Sequence, residues 1–229
     1  MICKTNLIDL LEKCFAYVIC EEEGVELASL FYDSIEVNEK NFETFKNELD
    51  NIRDILKEDL QFFMDSDPAA TSLDEIKMAY PGFRAIATYR ISHALYNLGY
   101  KLEARYLSES AHATTGIDIH PGANIDYPFF IDHGTGTVIG QTSTIGKRVK
   151  IYQCVTLGAV SLSNAEKMRG VVRHPQIGND VTIYAGASLL GAINIGDNVT
   201  IGSNVFLLEG VPSNTRVVIG KPALLFTKK

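Results

Sequence analysis

The chain has 229 residues, 46% of them hydrophobic, and a formal net charge of -7, a composition suited to one large or two small globular domains. Its acidity argues against general nucleic-acid binding, which needs a basic face, and leaves any anionic ligand dependent on local cations. No run approaches the apolar length of a membrane span, and Asp9 and Glu12 interrupt the first apolar stretch, unlike a signal peptide.

The first half reads as helical. Leu7, Leu10, Leu11, Cys14 and Val18 form an apolar stripe at helical spacing. A more charged segment from Glu36 to Leu60 carries a second stripe of Phe42, Phe45, Leu49, Ile52 and Leu56. Asp65-Ser66-Asp67-Pro68 breaks it, proline favouring the first position of a new helix. After Pro81-Gly82, a third stripe of Ile91, Leu95, Leu98 and Leu102 continues toward Gly116. Cys3, Cys14, Cys20 and Cys154 show neither metal-type pairing nor a disulfide framework, so a reducing cytoplasm is the expected setting.

At Gly116 the period changes to six. Ile119, Ile125 and Ile131 are followed by a two-residue slip across Gly134-Thr135-Gly136, and the period resumes at Ile139, Ile145, Ile151 and Leu157. A Ser- and Gly-containing interruption over residues 158–176 reads as an exposed loop. Ile177, Ile183, Leu189, Ile195, Ile201 and Leu207 then repeat strictly, each followed four residues later by an apolar residue from Val181 to Val211. A constant step of six fits neither a helix face nor a hairpin meander. It is the hexapeptide signature of a parallel β-helix, three units to a coil of about eighteen residues. The expected architecture is therefore α+β, with a helical domain over residues 1–115 and a β-helix over residues 116–229 that ends in a short tail.

Five histidines are candidates for chemistry. His93 reads as helix packing and His112 as a contact with a helix C-terminus. His120, His133 and His174 fall where the β-helix departs from its period. A carboxylate such as Asp118, fifteen residues before His133, can fix the tautomer of an imidazole base. Taken alone, each of these residues is better explained as a bend cap. Arg173 can hold a carboxylate through paired hydrogen bonds, although a solvated loop arginine is the plainer reading. Cys154 reads as a packing residue inside a regular unit. A zinc hydratase site needs three convergent histidines, and no close pair of the His-x4-His type is present.

Asp118-Ile119-His120-Pro121, Ile131-Asp132-His133-Gly134-Thr135-Gly136, Thr156-Leu157-Gly158-Ala159 and Arg173-His174-Pro175, with Asp67-Pro68-Ala69 and Pro81-Gly82-Phe83-Arg84-Ala85 before them, closely resemble serine acetyltransferases. The resemblance runs from about Asp65 to Ala223. It implies left-handed winding of the β-helix and transfer of acetyl from acetyl-CoA to L-serine, without an acyl-enzyme and without a metal. His133 would be the general base, oriented by Asp118. Asp67, Asp132, Arg173 and His174 match positions that hold serine, and backbone amides near Gly158 and Ala159 would steady the oxyanion. Acetyl-CoA would lie between neighbouring β-helices, against Ala185, Gly186 and Ser203, with Lys221 a candidate for a CoA phosphate. Thr200 stands where many members carry lysine. The resemblance further implies a trimer or dimer of trimers.

Rival expectations are an O-acetyltransferase acting on a sugar or antibiotic, a zinc hydratase, and a catalytically silent scaffold. Many members end in a tail that enters O-acetylserine sulfhydrylase. Here the ending Phe226-Thr227-Lys228-Lys229 is short and cationic, so no tight complex through this C-terminus is expected.

Overall fold

Among the described residues, the apolar stripes become the buried faces of helices. α1 (Lys4–Ile19) buries Leu7, Leu10, Leu11, Cys14 and Val18. α2 (Glu39–Ser66) buries Phe42, Phe45, Leu49, Ile52, Leu56, Leu60 and Phe63. In α3 (Leu73–Ala79), Ser72 caps the N-terminus by accepting from the Glu75 N–H. Pro81 starts α4 (Pro81–Asn97), which is buried on nearly every side. The third stripe does not continue as one helix. Gly99 adopts φ +96, the chain turns, and α5 (Lys101–Thr115) begins anew, leaving Leu102 68% exposed. Gly116, at φ +71, ends α5 in the left-handed conformation. The computed structural model describes residues 4–19, 32, 35, 39–160, 166 and 169–220.

From Asp118 the described residues form fourteen short strands that stack as three parallel sheets, the faces of a triangular prism. The first face holds β1 (Asp118–Ile119), β4 (Val138–Ile139), β7 (Thr156–Gly158), β10 (Ser188–Leu190) and β13 (Phe206–Leu207). The second holds β2 (Asn124–Ile125), β5 (Thr144–Ile145), β8 (Gln176–Ile177) and β11 (Asn194–Ile195). The third holds β3 (Phe129–Ile131), β6 (Val149–Ile151), β9 (Thr182–Ile183), β12 (Thr200–Ile201) and β14 (Arg216–Val217). Register follows the period: Ile119 lies over Ile139, Ile139 over Leu157, Leu157 over Leu189 and Leu189 over Leu207. All of these but the last are buried, so the six-residue repeat is a column of aliphatic side chains inside the prism. Left-handed winding is consistent with this architecture.

At the leading edge the third face turns into the first, and at the trailing edge the first turns into the second. The turns of the leading edge pass through positive φ at Gly136, Cys154, Gly186 and Asn204. Cys154 is thus at an exposed corner and not packed inside as its unit suggested. Its Sγ lies 3.4 Å from the Thr135 carbonyl.

The helices dock on the first coil. Phe63 of α2 stacks edge-on against Phe130 of β3 and Phe83 of α4. Gly82 lets α4 lie flush on β3, because a Cβ there would fall 2.1 Å from the Ile131 carbonyl oxygen. Between them is a fully buried ion pair. Arg90 Nε donates to Asp59 Oδ2 at 2.7 Å and Nη2 to Oδ1 at 2.9 Å, while the Phe129 N–H of β3 also donates to Asp59 Oδ1. Burial drives the Asp59 carboxyl upward, and the charge of Arg90 opposes it.

Removing one partner of such a pair strands a buried charge. Asp59→Ala is expected to cost about 3–5 kcal/mol of stability. Glu12→Ala, which breaks the exposed Glu12–Arg84 pair, should cost less than about 1 kcal/mol. Urea denaturation of both variants checks this, and equal losses would deny the buried pair its role.

Candidate active site

The two-residue slip places His133 outside the prism. Six residues lie between Ile131 and Val138 where four lie between Ile151 and Thr156, so the chain bulges at the leading edge. His133 takes φ +55 and Gly134 φ +79, and the Gly134 N–H donates to the Asp132 carbonyl. A Cβ on Gly134 would sit 2.4 Å from Ile117 Cδ1, which makes glycine necessary beside the histidine. The His133 side chain is 72% exposed, with Nε2 3.7 Å from Asp132 Oδ1.

Asp67 arrives at the same edge from the end of α2. Its Oδ1 accepts from the Ala69 N–H and its Oδ2 from the Tyr80 hydroxyl at 2.7 Å. That hydrogen bond is the main cause pushing the Tyr80 hydroxyl up to about 12, and Asp132 adds to it. The charges of both carboxylates also act on Tyr152. Asp67, Asp132 and His133 therefore form one acidic cluster with Tyr80 and Tyr152 around it.

Asp118 leads the first strand of the first face, in the coil before His133. Its ion partner is Arg105 of α5, Nη1 to Oδ1 3.7 Å, and no hydrogen bond joins it to His133 among the described residues. Arg105 also bonds Glu109. Glu109, His112 and Asp118 bring possible metal-ligand atoms within 4.8 Å of one another. The guanidinium between the two carboxylates already supplies their cation.

Arg173 and His174 are elsewhere. They precede β8, at the trailing edge, with Gly158 and Ala159 at the end of β7. Arg173 Nη2 donates to Gln141 Oε1 at 2.6 Å, and Gln141 Nε2 donates to the Tyr96 hydroxyl. Thr142 Oγ1 accepts from the Arg173 and His174 N–H groups. His174 Nδ1 receives the Thr142 N–H at 3.1 Å and lies 2.8 Å from its hydroxyl, so the neutral ring carries its proton on Nε2. Gly140 makes room for that ring, since a Cβ there would lie 2.1 Å from His174 Cδ2. The first face separates the two edges by four residue steps from Gly136 to Gly140, on the order of 13 Å of strand. The expected serine-binding residues thus divide into an acidic half on one edge and an Arg-His half on the next.

Ala185, Gly186 and Ser203 fall on the leading edge, further along the coils from Asp132. Thr200 begins β12 on the third face. Lys221 and the C-terminal tail lie outside the described residues. Sequence reasoning missed Tyr80, Arg105, Gln141, Thr142 and the Tyr152–Tyr184 pair. Gln141 and Thr142 were accessible in principle: Thr144 pairs with Gln176, so carrying the register across the loop sets Gln141 beside Arg173. Tyr80 had no such signal.

Burial lowers His174 to about 4, with Arg173 adding to it. His120 is likewise lowered to about 4 by burial, then by Arg105, Arg173 and His174; its Nδ1 accepts from the Gly122 N–H. Both rings are neutral when folded and take up protons more readily when unfolded, so stability is retained above about pH 6.5 and falls as pH drops toward 4. Urea midpoints measured from pH 7 to 4.5 should decline, and His174→Gln should flatten the decline. A pH-independent midpoint would contradict the burial of these rings.

Comparison with known proteins bears on the whole chain. Residues 174–208 match the bacterial transferase hexapeptide (six repeats) family model. The plasmid serine acetyltransferase of Synechococcus elongatus is 51% identical over 176 residues, 76% of this chain and 55% of that protein; this chain thus spans about half of that relative's length. The serine acetyltransferase of Bacillus subtilis is 43% identical over 72% of this chain and 73% of its own. Among solved structures, isoform 3 of the Entamoeba histolytica enzyme, in complex with cysteine, superposes with a TM-score of 0.83 at 37% identity, covering 96% of this chain and 84% of that one. The Neisseria gonorrhoeae enzyme in complex with serine gives 0.73 at 31% identity, covering 94% and 82%. By its repeat, its helical N-terminal region and its similarity to these relatives across most of its length, the chain belongs to the serine acetyltransferase family.

Proposed function

We propose that the protein transfers the acetyl group of acetyl-CoA directly to the hydroxyl of L-serine, giving O-acetyl-L-serine and CoA. The observation that carries this is the division of charge between the two edges. Asp67 and Asp132 suit an ammonium group, and Arg173 with His174 suits a carboxylate. A free amino acid is too short to reach across the first face of one chain. It fits where the leading edge of one copy meets the trailing edge of the next, which calls for a cyclic assembly, a trimer or a dimer of trimers.

In this reading His133 removes the proton from the serine hydroxyl as its oxygen bonds to the acetyl carbonyl carbon. The carbon–sulfur bond breaks, and the proton ends on the CoA sulfur. Asp118 orients the imidazole once His133 swings from Asp132 toward it, with Arg105 holding the carboxylate in place. General base catalysis contributes on the order of 100- to 10,000-fold, and positioning the two substrates supplies much of the rest. Amides near Gly158 and Ala159 steady the oxyanion. Acetyl-CoA follows the leading edge past Ala185, Gly186 and Ser203, and Thr200 leaves its adenosine end held differently from members with lysine there. No metal takes part, and the setting is cytoplasmic. Cys154, although exposed, forms no acyl intermediate.

Thiol release from acetyl-CoA with serine, homoserine, maltose or no acceptor tests the assignment, and serine should stand out. His133→Ala should lower kcat by two or more orders of magnitude while acetyl-CoA still binds; near wild-type turnover would remove His133 from the base role. Arg173→Lys keeps the charge but loses the paired geometry, so KM for serine should rise more than KM for acetyl-CoA. Equal rises would point to loop folding.

A further inference from the structure

We propose that Tyr96 and Gln141 are positioning residues for serine: the Tyr96 hydroxyl fixes the Gln141 amide, and that amide aims the Arg173 guanidinium at the substrate carboxylate. This rests on the transfer reaction proposed above. Tyr96 lies near the end of α4, where Tyr89, His93 and Tyr96 fall on one stripe at helical spacing. Each of the three holds the prism. The Tyr89 hydroxyl donates to the Ala123 carbonyl at 2.7 Å and accepts from the Ile125 N–H. His93 Nδ1 lies 2.7 Å from the Pro121 carbonyl oxygen, and the Tyr96 hydroxyl accepts from Gln141 Nε2 at 3.0 Å.

Tyr96 is itself confined. The His120 ring meets it edge-on, with centroids 5.9 Å apart, and Lys101 Nζ lies 5.5 Å from its ring centroid. Tyr96 and Gln141 close together over Gly122, where a Cβ would fall 3.0 Å from Tyr96 Cζ and 3.1 Å from Gln141 Cγ. The docking of α4 therefore sets where the hydroxyl stands, and the hydroxyl sets where Gln141 stands.

An amide side chain has one accepting end and one donating end, whereas a guanidinium only donates. One orientation of Gln141 therefore serves both neighbours, with Nε2 to the Tyr96 hydroxyl and Oε1 to Arg173 Nη2 at 2.6 Å. Turned over, the amide would set its own N–H groups against the guanidinium. The Arg173 backbone is fixed separately, its N–H donating to Thr142 Oγ1 at 2.9 Å. Held at its main chain and at one edge of its fork, the arginine loses less rotamer freedom when a carboxylate binds. Neither Tyr96 nor Gln141 makes or breaks a bond, so their effect belongs to serine binding and not to acetyl-CoA.

Initial rates of CoA release by the full chain, with serine and acetyl-CoA varied in turn, test the proposal. Gln141→Leu removes a hydrogen bond to a charged group and should lower kcat/KM for serine about tenfold or more. Tyr96→Phe removes only the hydroxyl and should lower it about threefold; it also offers a second route if Gln141→Leu does not fold. KM for acetyl-CoA should stay within about twofold of wild type in both variants. Because the relay acts through the guanidinium, either substitution added to Arg173→Met should change kcat/KM for serine by less than about twofold. Unchanged kcat/KM in the single variants, equal rises in KM for both substrates, or the same loss in the Arg173→Met background overturns the relay, while wild-type transfer to serine leaves the proposed function standing. Wild-type kcat/KM in Arg173→Met removes the carboxylate role of Arg173 and the relay with it. Failure of the wild-type protein to transfer acetyl to serine overturns both the relay and the proposed function.

Discussion

The carboxylate of Asp59 is where two unlike halves of this molecule become one. Its two oxygens accept from Arg90 of α4 and from the Phe129 backbone of β3, so a single buried group ties two helices to the first coil. Arg90 also reaches the carbonyls of Ile125 and Asp126, each at 3.4 Å. A neutral pair of the same volume would satisfy packing, but it would leave the Phe129 N–H without its acceptor and the approach of α2 undetermined. That approach has a consequence at the leading edge. α2 ends at Ser66, one residue before Asp67, and Tyr80 precedes α4 directly. Fixing both helices on the coil therefore fixes the Asp67–Tyr80 hydrogen bond beside Asp132.

The prism supplies the complementary constraint, a register that cannot drift. Because the inward residues stack coil on coil, an insertion cannot be absorbed inside and must emerge at an edge. The slip before Gly136 emerges as the His133 bulge, and the longer interruption after Gly158 returns to the prism as Arg173-His174-Pro175. Glycines stand at both places for steric reasons: Gly134 under Ile117, and Gly140 under the His174 ring. The regular coils act as a ruler, and His133, Arg173 and His174 are mounted where the ruler is interrupted.

That logic explains how much was legible beforehand. The columns from Ile119 to Leu207 could be read from spacing alone, because one side chain per six residues must face inward. The stripe Leu7 to Val18 and the stripe Phe42 to Leu56 were legible for the same reason at helical spacing. Leu102 misled because a stripe records which faces are apolar and not whether the backbone stays helical, and Gly99 breaks the helix before it. Cys154 misled because its unit is regular while its position is a corner, where the side chain turns outward. The grouping of Asp67 with Tyr80, and of Arg105 with Asp118, depends on how helices cross the coil, and periodicity carries no record of a crossing.

Separating the acidic and basic halves also solves a problem of self-pairing. Were Arg173 beside Asp67 and Asp132 in one chain, a charge-assisted ion pair would form and a zwitterionic ligand would have to break it. Among the described residues, Asp67 accepts from the Tyr80 hydroxyl, and Arg173 donates to the Gln141 amide oxygen and the Val171 carbonyl. With one partner ionised, such bonds are charge-assisted, so they hold each side chain in a set orientation. Under the proposed function, the width of one sheet therefore keeps the two serine-binding halves of a chain from pairing with each other.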